Sequence, residues 1–257
     1  MPATPFEYRF RFLIHALIFV VGFGLIPLLD GFTPGILQAL GITNRTTWLV
    51  LSSMLSRQHL LNFSTAVTVV LLVAIVFLAL AAWLRVWGAA YVGTHIVKSP
   101  TMHAEGAHGR AMLADGPYRR TRNPLYLGVL LHTIGLAILM PPLGAVIAIA
   151  LVWIFEVRLA LAEEPFLTAQ FGQPYLDYKA AVPRFLPAPT PVWPAAGDKP
   201  HWLQAILGEI YFLGALGTVA ALGWDFNTPP LERGILISLG VSIVIRGLMP
   251  KPKPAQD

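Results

Sequence analysis

The sequence contains no cysteine and few charged residues. Of its 257 residues, 12% are Asp, Glu, Lys or Arg and 56% are hydrophobic, whereas soluble domains carry about 25% charged residues. The absence of cysteine excludes disulfides, thiolate metal sites and cysteine nucleophiles. The shortage of charge, together with apolar runs close to the roughly 20 residues that cross a bilayer, predicts an all-α polytopic membrane protein.

The chain contains six apolar segments that predict about six crossings of the membrane. The first follows Arg9 and Arg11 without a small-residue cleavage site after it, so we expect a retained helix rather than a signal peptide. The third is short for a full crossing and leads into a tight hairpin at Pro141-Pro142. The predicted segments are roughly residues 11–29, 63–87, 124–140, 143–164, 202–222 and 231–249.

The basic residues predict the orientation of these segments. If the N-terminus is cytoplasmic, six crossings leave only Arg45, Arg57 and Arg233 of the 18 lysines and arginines outside. Because basic loops stay preferentially in the cytoplasm, both termini are predicted to be cytoplasmic, in a bacterial inner membrane. Residues 48–60 fit either an amphipathic helix in the membrane interface or a packed loop.

Charged residues in the fourth apolar segment are functional candidates, because charge inside a membrane is costly. Glu156 and Glu163 are seven residues apart and share one helix face, whereas Glu163 and Glu164 point about 100° apart. Neighbouring carboxylates repel unless cations or hydrogen-bond donors lie against them. Two explanations stay open: the glutamates bind a cationic ligand, or they pair with the arginines of residues 119–122 and tie that loop down.

The loop before the third segment also carries candidates for ligand binding. Arg122-Asn123-Pro124 stands at a predicted helix start, where backbone N–H groups and an arginine fork attract a carboxylate. Alternatively, Arg119, Arg120 and Arg122 contact anionic lipid headgroups. Tyrosines near this loop can stack on an adenine or bond a ribose, although interfacial tyrosines are common in membrane proteins.

Other polar residues predict packing rather than chemistry. Three histidines of the loop lack the spacing of metal ligands, so no metal site is predicted. His132 in the third segment is expected to be a packed polar residue. Glu209 in the fifth segment needs a partner, and Arg246 is the expected one.

Several motifs, in this order along the chain, resemble the membrane methyltransferases. That group includes the isoprenylcysteine carboxyl methyltransferases and the phospholipid N-methyltransferases. The resemblance predicts an N-terminal transmembrane region over residues 1–79, a methyltransferase core over 80–187, and a C-terminal helix pair with its tail over 188–257. The motifs are Leu84–Gly93, Gly116–Gly128, Glu163-Glu164, Phe171–Tyr178 and Val182–Arg184.

The resemblance implies that S-adenosylmethionine binds where the loop, the start of the third helix and the Glu-Glu pair meet, and leaves as S-adenosylhomocysteine. Arg122, Glu156 and Glu163 are then the expected catalytic residues. Asn123 stands where the family usually has histidine, so an acid–base role is not expected there. Acceptor contacts are expected at Arg85, His132 and Arg184. The expected cofactor-binding residues are Gly93, Gly116, Pro117, Tyr118, Arg122, Asn123, Pro124, Tyr126, Gly128, Glu163, Glu164, Tyr175 and Tyr178.

The apolar helices around the expected site predict a methyl acceptor that comes from the bilayer. A lipid-like or prenylated molecule would enter laterally and present a carboxylate, amine or hydroxyl. Small residues are expected to leave space for its path, namely Gly88, Ala89, Ala90, Gly93, Gly128 and Gly135. Neither nucleic acid nor a metal is an expected partner. The alternatives are an NADPH-dependent membrane reductase of the steroid reductase type, which resembles this family in its C-terminal half, and a non-catalytic membrane module.

Overall fold

A computed structural model describes residues 1–33, 35–92 and 115–248. These residues form an all-helical bundle, and no strand occurs among them. Short 3-10 turns lie at Gly116–Arg119, Ala137–Leu139 and Gly223–Asp225. The helices are α1 (Pro5–Arg9), α2 (Arg11–Phe32), α3 (Ile36–Ala39), α4 (Thr47–Arg57), α5 (Phe63–Val92), α6 (Pro124–Leu136), α7 (Pro142–Phe171), α8 (Gln173–Ala181), α9 (Trp202–Gly208), α10 (Ile210–Leu222) and α11 (Thr228–Leu248).

Three of the described helices, α2, α5 and α7, are long and apolar enough to cross a membrane. The helices α9 and α10 are bent by 67° relative to each other and together make a fourth candidate span. Helix α6 is apolar but short, as its sequence predicted. The predicted class, an all-α membrane bundle, is therefore confirmed, while the number of six crossings stays a prediction.

Helix α7 extends further than the sequence predicted. We expected it to end near Glu164, because the proline at 165 lacks an N–H and crowds the preceding turn. The helix instead continues through Pro165 to Phe171 and ends at Gly172, which has a positive φ of 59°. Glu163 and Glu164 therefore lie inside a helix with fixed directions, rather than at a fraying end.

The helices α5 and α6 pack too closely to leave the space that we expected at their glycines. A Cβ atom at Gly128 would lie 2.7 Å from Cγ of Arg85, and one at Gly135 would lie 2.6 Å from Cγ of Leu78. A Cβ at Gly88 would meet α6 equally closely. The expectation of an acceptor path along these glycines is wrong, because they allow the two helices to touch.

Residues 47–57 form the amphipathic helix α4 rather than a loop. Trp48 is fully buried, and its indole N–H donates to the backbone carbonyl of Val67 on α5 at 2.9 Å. Thr47 donates from its backbone and its hydroxyl to the carbonyl of Met140. Helix α4 thereby closes the end of the bundle that lies opposite the charged clusters described next.

Candidate functional site

Glu164 is the centre of one charged cluster. It is buried, and its Oε1 accepts hydrogen bonds from Nη1 of Arg122 and Nε of Arg184, both at 2.8 Å. Its Oε2 lies 2.8 Å from Nζ of Lys179. Three cations thus surround one carboxylate, and they join the loop, helix α7 and the chain around α8. We call these four residues the Glu164 hub.

The loop that carries Arg122 runs along the chain that follows α8. The backbone N–H of Arg122 donates to the carbonyl of Pro183 at 2.9 Å, and its Nε donates to that of Val182 at 3.0 Å. The side chain of Asn123 donates to the carbonyl of Arg184 at 3.0 Å. For Arg122 and Glu164 this geometry favours loop tying over ligand binding, since both side chains already have protein partners.

The two arginines before Arg122 do not reach the glutamates. Nε of Arg119 donates to the carbonyl of Trp193 at 2.7 Å, and Nη1 of Arg120 donates to that of Ala188 at 3.3 Å. These bonds extend the pairing between the loop and the segment after α8. The explanation that the glutamates pair with these arginines and tie the loop down therefore holds, among the three arginines, for Arg122 alone.

Glu163 faces a different set of groups from its neighbour Glu164. The hydroxyl of Tyr126, on α6, donates to Oε1 of Glu163. Tyr8, on α1, and the positive charge of Arg11 also lie near this carboxylate. Arg11 is itself buried and donates to the backbone carbonyl of Tyr8 at 2.9 Å. Glu163 thus accepts from the neutral hydroxyl of Tyr126 and has a cation nearby.

Glu156 lies two helical turns deeper than Glu163, about 10 Å along α7. It is fully buried, and its Oε1 lies 2.8 Å from Nε2 of His15 on α2. Nδ1 of His15 lies 2.7 Å from the carbonyl of Arg11. Within residues 1–33, 35–92 and 115–248, Oε2 of Glu156 has no hydrogen-bond partner. The predicted face shared by Glu156 and Glu163 thus meets α1, α2 and α6.

Our sequence interpretation did not include Tyr8, Arg11 or His15 in the site. The sequence did contain a hint of a role for two of these residues. Arg11 and His15 are ionisable, are four residues apart, and stand at the start of an apolar helix. Ionisable groups in such a segment point toward the bundle interior and toward partners. The partner of His15 is 141 residues away in the chain, so spacing alone did not reveal it.

Arg85 was expected to contact the acceptor, but its charge is matched within the protein. Its Nε and Nη2 bind the two carboxylate oxygens of Glu209 at 2.8 and 2.7 Å. Arg246, which we expected to pair with Glu209, instead donates to the carbonyl of Gly208 at the bend between α9 and α10. The expected Glu209–Arg246 pair is wrong, because Nε and Nη2 of Arg85 donate to both carboxylate oxygens of Glu209.

His132 is packed in the bundle interior, as its sequence context predicted. Its Nε2 lies 3.1 Å from the hydroxyl of Tyr211, and its ring centroid lies 4.6 Å from that of Phe212. Nδ1 of His132 has no hydrogen-bond partner in the part of the chain that the structure describes. Its expected role in acceptor binding stays a prediction, as does that of Arg184, which belongs to the Glu164 hub.

Most of the remaining expected cofactor residues pack against one another. The hydroxyl of Tyr178 donates to the carbonyl of Tyr118 at 2.8 Å, and burial raises the pKa of both tyrosines, so both stay neutral at pH 7. Gly116 has a φ of 59°, and a Cβ there would clash with the ring of Tyr91, so glycine is needed at this turn. Gly93 lies outside the described residues.

Comparisons with known proteins cover the part of the chain that carries these clusters. The family model for phospholipid methyltransferases (PEMT) matches residues 69–174. The resemblance to the membrane methyltransferase family is confirmed. The matched residues, which we call the methyltransferase segment, include most of α5, all of α6 and all of α7.

Two curated proteins of Arabidopsis thaliana are similar to the methyltransferase segment. Protein-S-isoprenylcysteine O-methyltransferase A is 34% identical over 95 residues, and protein-S-isoprenylcysteine O-methyltransferase B is 30% identical over 95 residues. Each alignment covers 37% of this chain and 46% of the relative. The chain therefore spans about half the length of the curated relatives it matches. No solved structure matches the chain.

The donor set of this site fits the chemistry of S-adenosylmethionine. That molecule presents positive groups, a carboxylate and hydroxyls. Glu163 is a carboxylate that accepts from the hydroxyl of Tyr126, and Glu156 has a buried oxygen without a partner among the described residues. A buried carboxylate oxygen is stabilised by a cation or a hydrogen-bond donor. Arg11, next to Glu163, can match the charge of a carboxylate.

Proposed function

We propose that this protein is an integral membrane methyltransferase that transfers the methyl group of S-adenosylmethionine to a lipid-like or prenylated acceptor. The observation that carries the proposal is that the methyltransferase segment holds Tyr126, Glu156 and Glu163 at one end of an apolar bundle. Both similar curated proteins are named as methyltransferases. The alternative of an NADPH-dependent reductase is not favoured by any of these observations.

Glu163 is the residue that we propose for binding a positive or hydroxyl group of S-adenosylmethionine. The bound cofactor supplies a methyl group on a positively charged sulfur, which becomes a neutral thioether when the methyl leaves. Tyr126 orients the Glu163 carboxylate through the hydrogen bond from its neutral hydroxyl. Arg122 and Glu164 shape the wall of the site, since each is already paired.

The bundle around the site contributes alignment and exclusion of water. Displacement at a methyl group is accelerated mainly by holding the two reactants in line and by removing water from them. The apolar helices α5, α6 and α7 of the methyltransferase segment run from the opposite end of the bundle to the site. Large apolar side chains also cover the outer faces of α2 and α11, so an acceptor with a long apolar chain can reach the bundle from the bilayer.

We propose that the site lies at the cytoplasmic face of a bacterial inner membrane, with both termini in the cytoplasm. The bias of basic residues supports this orientation. A reporter that is active only in the cytoplasm should give no signal when fused after Pro142 and a strong signal when fused after Pro194. Signal from the fusion at Pro142 would contradict the proposed orientation.

The methyltransferase proposal is tested with the purified full-length protein in lipid discs. The protein is incubated with S-adenosylmethionine labelled on its methyl group and with a total lipid extract, and the labelled products are identified by mass spectrometry. We expect a labelled lipid or prenylated product that Glu163→Gln greatly reduces. Ser52→Ala, at the opposite end of the bundle, serves as the control with retained labelling. Oxidation of NADPH without methyl transfer would favour the reductase instead.

A further inference from the structure

His15 and Glu156 share one proton inside the bundle. Nδ1 of His15 lies 2.7 Å from the carbonyl of Arg11, which only accepts hydrogen bonds, so Nδ1 carries a proton and donates it. Nε2 lies 2.8 Å from Oε1 of Glu156. One proton must lie between these two atoms, because two lone pairs at this distance would repel. The pair is therefore either imidazolium and carboxylate or imidazole and carboxylic acid, and its net charge is zero.

The second oxygen of Glu156 leaves this pair incomplete. Glu156 is fully buried, and its Oε2 has no partner among the described residues. Leaving a buried acceptor unsatisfied costs about 1–3 kcal/mol, and more for a charged group. Unsatisfied buried polar groups are rare in native proteins, and a catalytic role is one of the recognised reasons for them. A group with an N–H or O–H would remove the cost by donating to Oε2.

The pair belongs to the same cluster as Glu163. The charge of Glu156 acts on both Glu163 and Tyr126. His15, however, precedes the methyltransferase segment, on α2, so the pair joins a helix outside the family match to one inside it. The titratable groups linked to the pair are Glu163 on α7 and Tyr126 on α6, on which Glu156 acts, and Arg11 on α2, whose carbonyl accepts from His15; Tyr8 on α1 lies near Glu163.

We infer that Glu156, positioned by His15, receives the proton of the methyl acceptor, and that the acceptor atom is therefore an amine nitrogen or a hydroxyl oxygen rather than a carboxylate. This inference rests on the proposed methyltransferase function. Glu156 is the catalytic residue, because its Oε2 takes the proton. His15 is a positioning residue, which holds Oε1 and stabilises the negative charge that Glu156 needs in order to act as a base.

The step balances with the methyl donor already proposed. A lone pair of the acceptor nitrogen or oxygen forms a bond to the methyl carbon while the carbon–sulfur bond breaks and its electron pair stays on sulfur. The proton of the acceptor N–H or O–H moves to Oε2 of Glu156, which becomes a carboxylic acid. That proton then leaves to water when the products depart. A carboxylate acceptor carries no such proton and needs no base.

The inference is tested with two synthetic acceptors that have the same prenyl chain and end in an amine or in a carboxylate. The full-length protein in lipid discs is assayed with S-adenosylmethionine, wild type against Glu156→Gln. We expect transfer to the amine, reduced about 100-fold or more in kcat by Glu156→Gln, as for the loss of a general base. Binding of S-adenosylhomocysteine, measured by calorimetry, should change little.

His15→Gln tests the positioning role separately. Glutamine can still donate to Oε1, but it cannot carry the positive charge of an imidazolium. We expect a lower kcat and an altered pH profile for the amine, with the KM of the acceptor unchanged. His15→Phe should lower kcat further. Equal pH profiles for wild type and His15→Gln would overturn the role of His15.

A measurement without any methyl donor gives an independent readout of the proton on Glu156. Infrared difference spectra should show the band of the buried Glu156 carboxyl group. We expect Glu156→Gln to remove this band and His15→Gln to displace it. A spectrum in which Glu156→Gln removes no band would overturn the inference.

The possible results separate the inference from the proposed function. Transfer to the carboxylate alone, or transfer to the amine that Glu156→Gln leaves intact, overturns the inference and retains the methyltransferase. Absence of both transfer and S-adenosylhomocysteine binding overturns the proposed function itself. Transfer to the amine that depends on Glu156 supports both.

Discussion

Glu163 and Glu164 are neighbours in one helix, but their surroundings are opposite. Glu164 is bound by three cations, from Arg122, Lys179 and Arg184. Glu163 is bound by the hydroxyl of Tyr126, and Glu156 on the same face is held by a histidine. A carboxylate whose charge is cancelled within the protein supports structure. Glu163, whose hydrogen-bond donor is a neutral hydroxyl, is the carboxylate that we propose for a ligand.

The difference follows from helix geometry. Consecutive residues of an α-helix point about 100° apart, so adjacent glutamates face different neighbours. Glu164 points to the loop and to the chain around α8, whereas Glu163 points to α1 and α6. The same dipeptide thus provides a structural clamp and a candidate binding group, and the following substitutions separate the two.

The largest effect is expected from Glu164→Gln. This change leaves Arg122, whose side chain is only 10% exposed, without the opposite charge. Breaking a buried pair on one side costs about 3–5 kcal/mol. We expect the free energy of unfolding to fall by about this amount and the segment around α8 to become sensitive to protease. Lys179→Met is the control, because Lys179 is more exposed and surface pairs contribute about 0–1 kcal/mol.

Glu163→Gln is expected to act on binding instead. A hydrogen bond to a charged group contributes about 1.5–3 kcal/mol, which corresponds to roughly 10- to 100-fold in affinity. We expect S-adenosylhomocysteine to bind more weakly by this factor in calorimetry, while the unfolding transition stays near that of the wild type. If Glu163→Gln destabilised the fold as much as Glu164→Gln, the distinction between the two glutamates would be lost.

A third substitution separates packing from ligand contact at a residue that the sequence placed in the site. Gly128→Leu puts a side chain where Arg85 lies, so we expect a loss of about 1–3 kcal/mol in unfolding free energy from overpacking. Gly217→Leu is the matched control, since a Cβ there meets no atom within 4 Å. If Gly128→Leu kept the wild-type stability but raised the KM of the acceptor, the hypothesis of an acceptor path at this glycine would be supported again.

The sequence predicted the elements of the fold better than their partners. Apolar length and proline positions correctly indicated α2, α5, α6 and the start of α7. Such features are local, because a run of apolar residues or a helix-starting proline acts within a few residues. The continuation of α7 beyond Pro165 was missed, since the tendency of proline to stop a helix is only a local preference.

Most of the pairs that the charged residues form could not be predicted from the sequence. Helix periodicity placed Glu156 and Glu163 on one face, but it could not identify His15 or Tyr8 as their partners. Glu209 illustrates the same limit, because Arg85 and Arg246 both reach the same end of the bundle. Which of two cations binds a carboxylate depends on the rotation of the helices and on the spacing between them. Neither can be read from one sequence.

The smallest effect is expected at the contact that holds α1 beside Glu163. Nη2 of Arg158 lies 2.7 Å from Oε2 of Glu7, and the backbone N–H of Ala3 donates to the carbonyl of Arg158 at 2.8 Å. The backbone N–H of Thr4 and the side chain of Arg158 lower the pKa of Glu7. The pair therefore stabilises the fold above the ordinary glutamate pKa, about 4.3, and this stabilisation is lost as the pH falls below it.

A double-mutant cycle with Glu7→Gln and Arg158→Met measures this contact. Both side chains are roughly one quarter exposed, so we expect a coupling of about 0.2–1 kcal/mol at pH 7 that salt weakens. The coupling should vanish at a pH below the pKa of Glu7. Since α1 carries Tyr8, loosening it should weaken S-adenosylhomocysteine binding slightly and leave the Glu164 hub intact. If Glu7→Gln or Arg158→Met instead changed protease cleavage near α8, the two sides of helix α7 would not be independent.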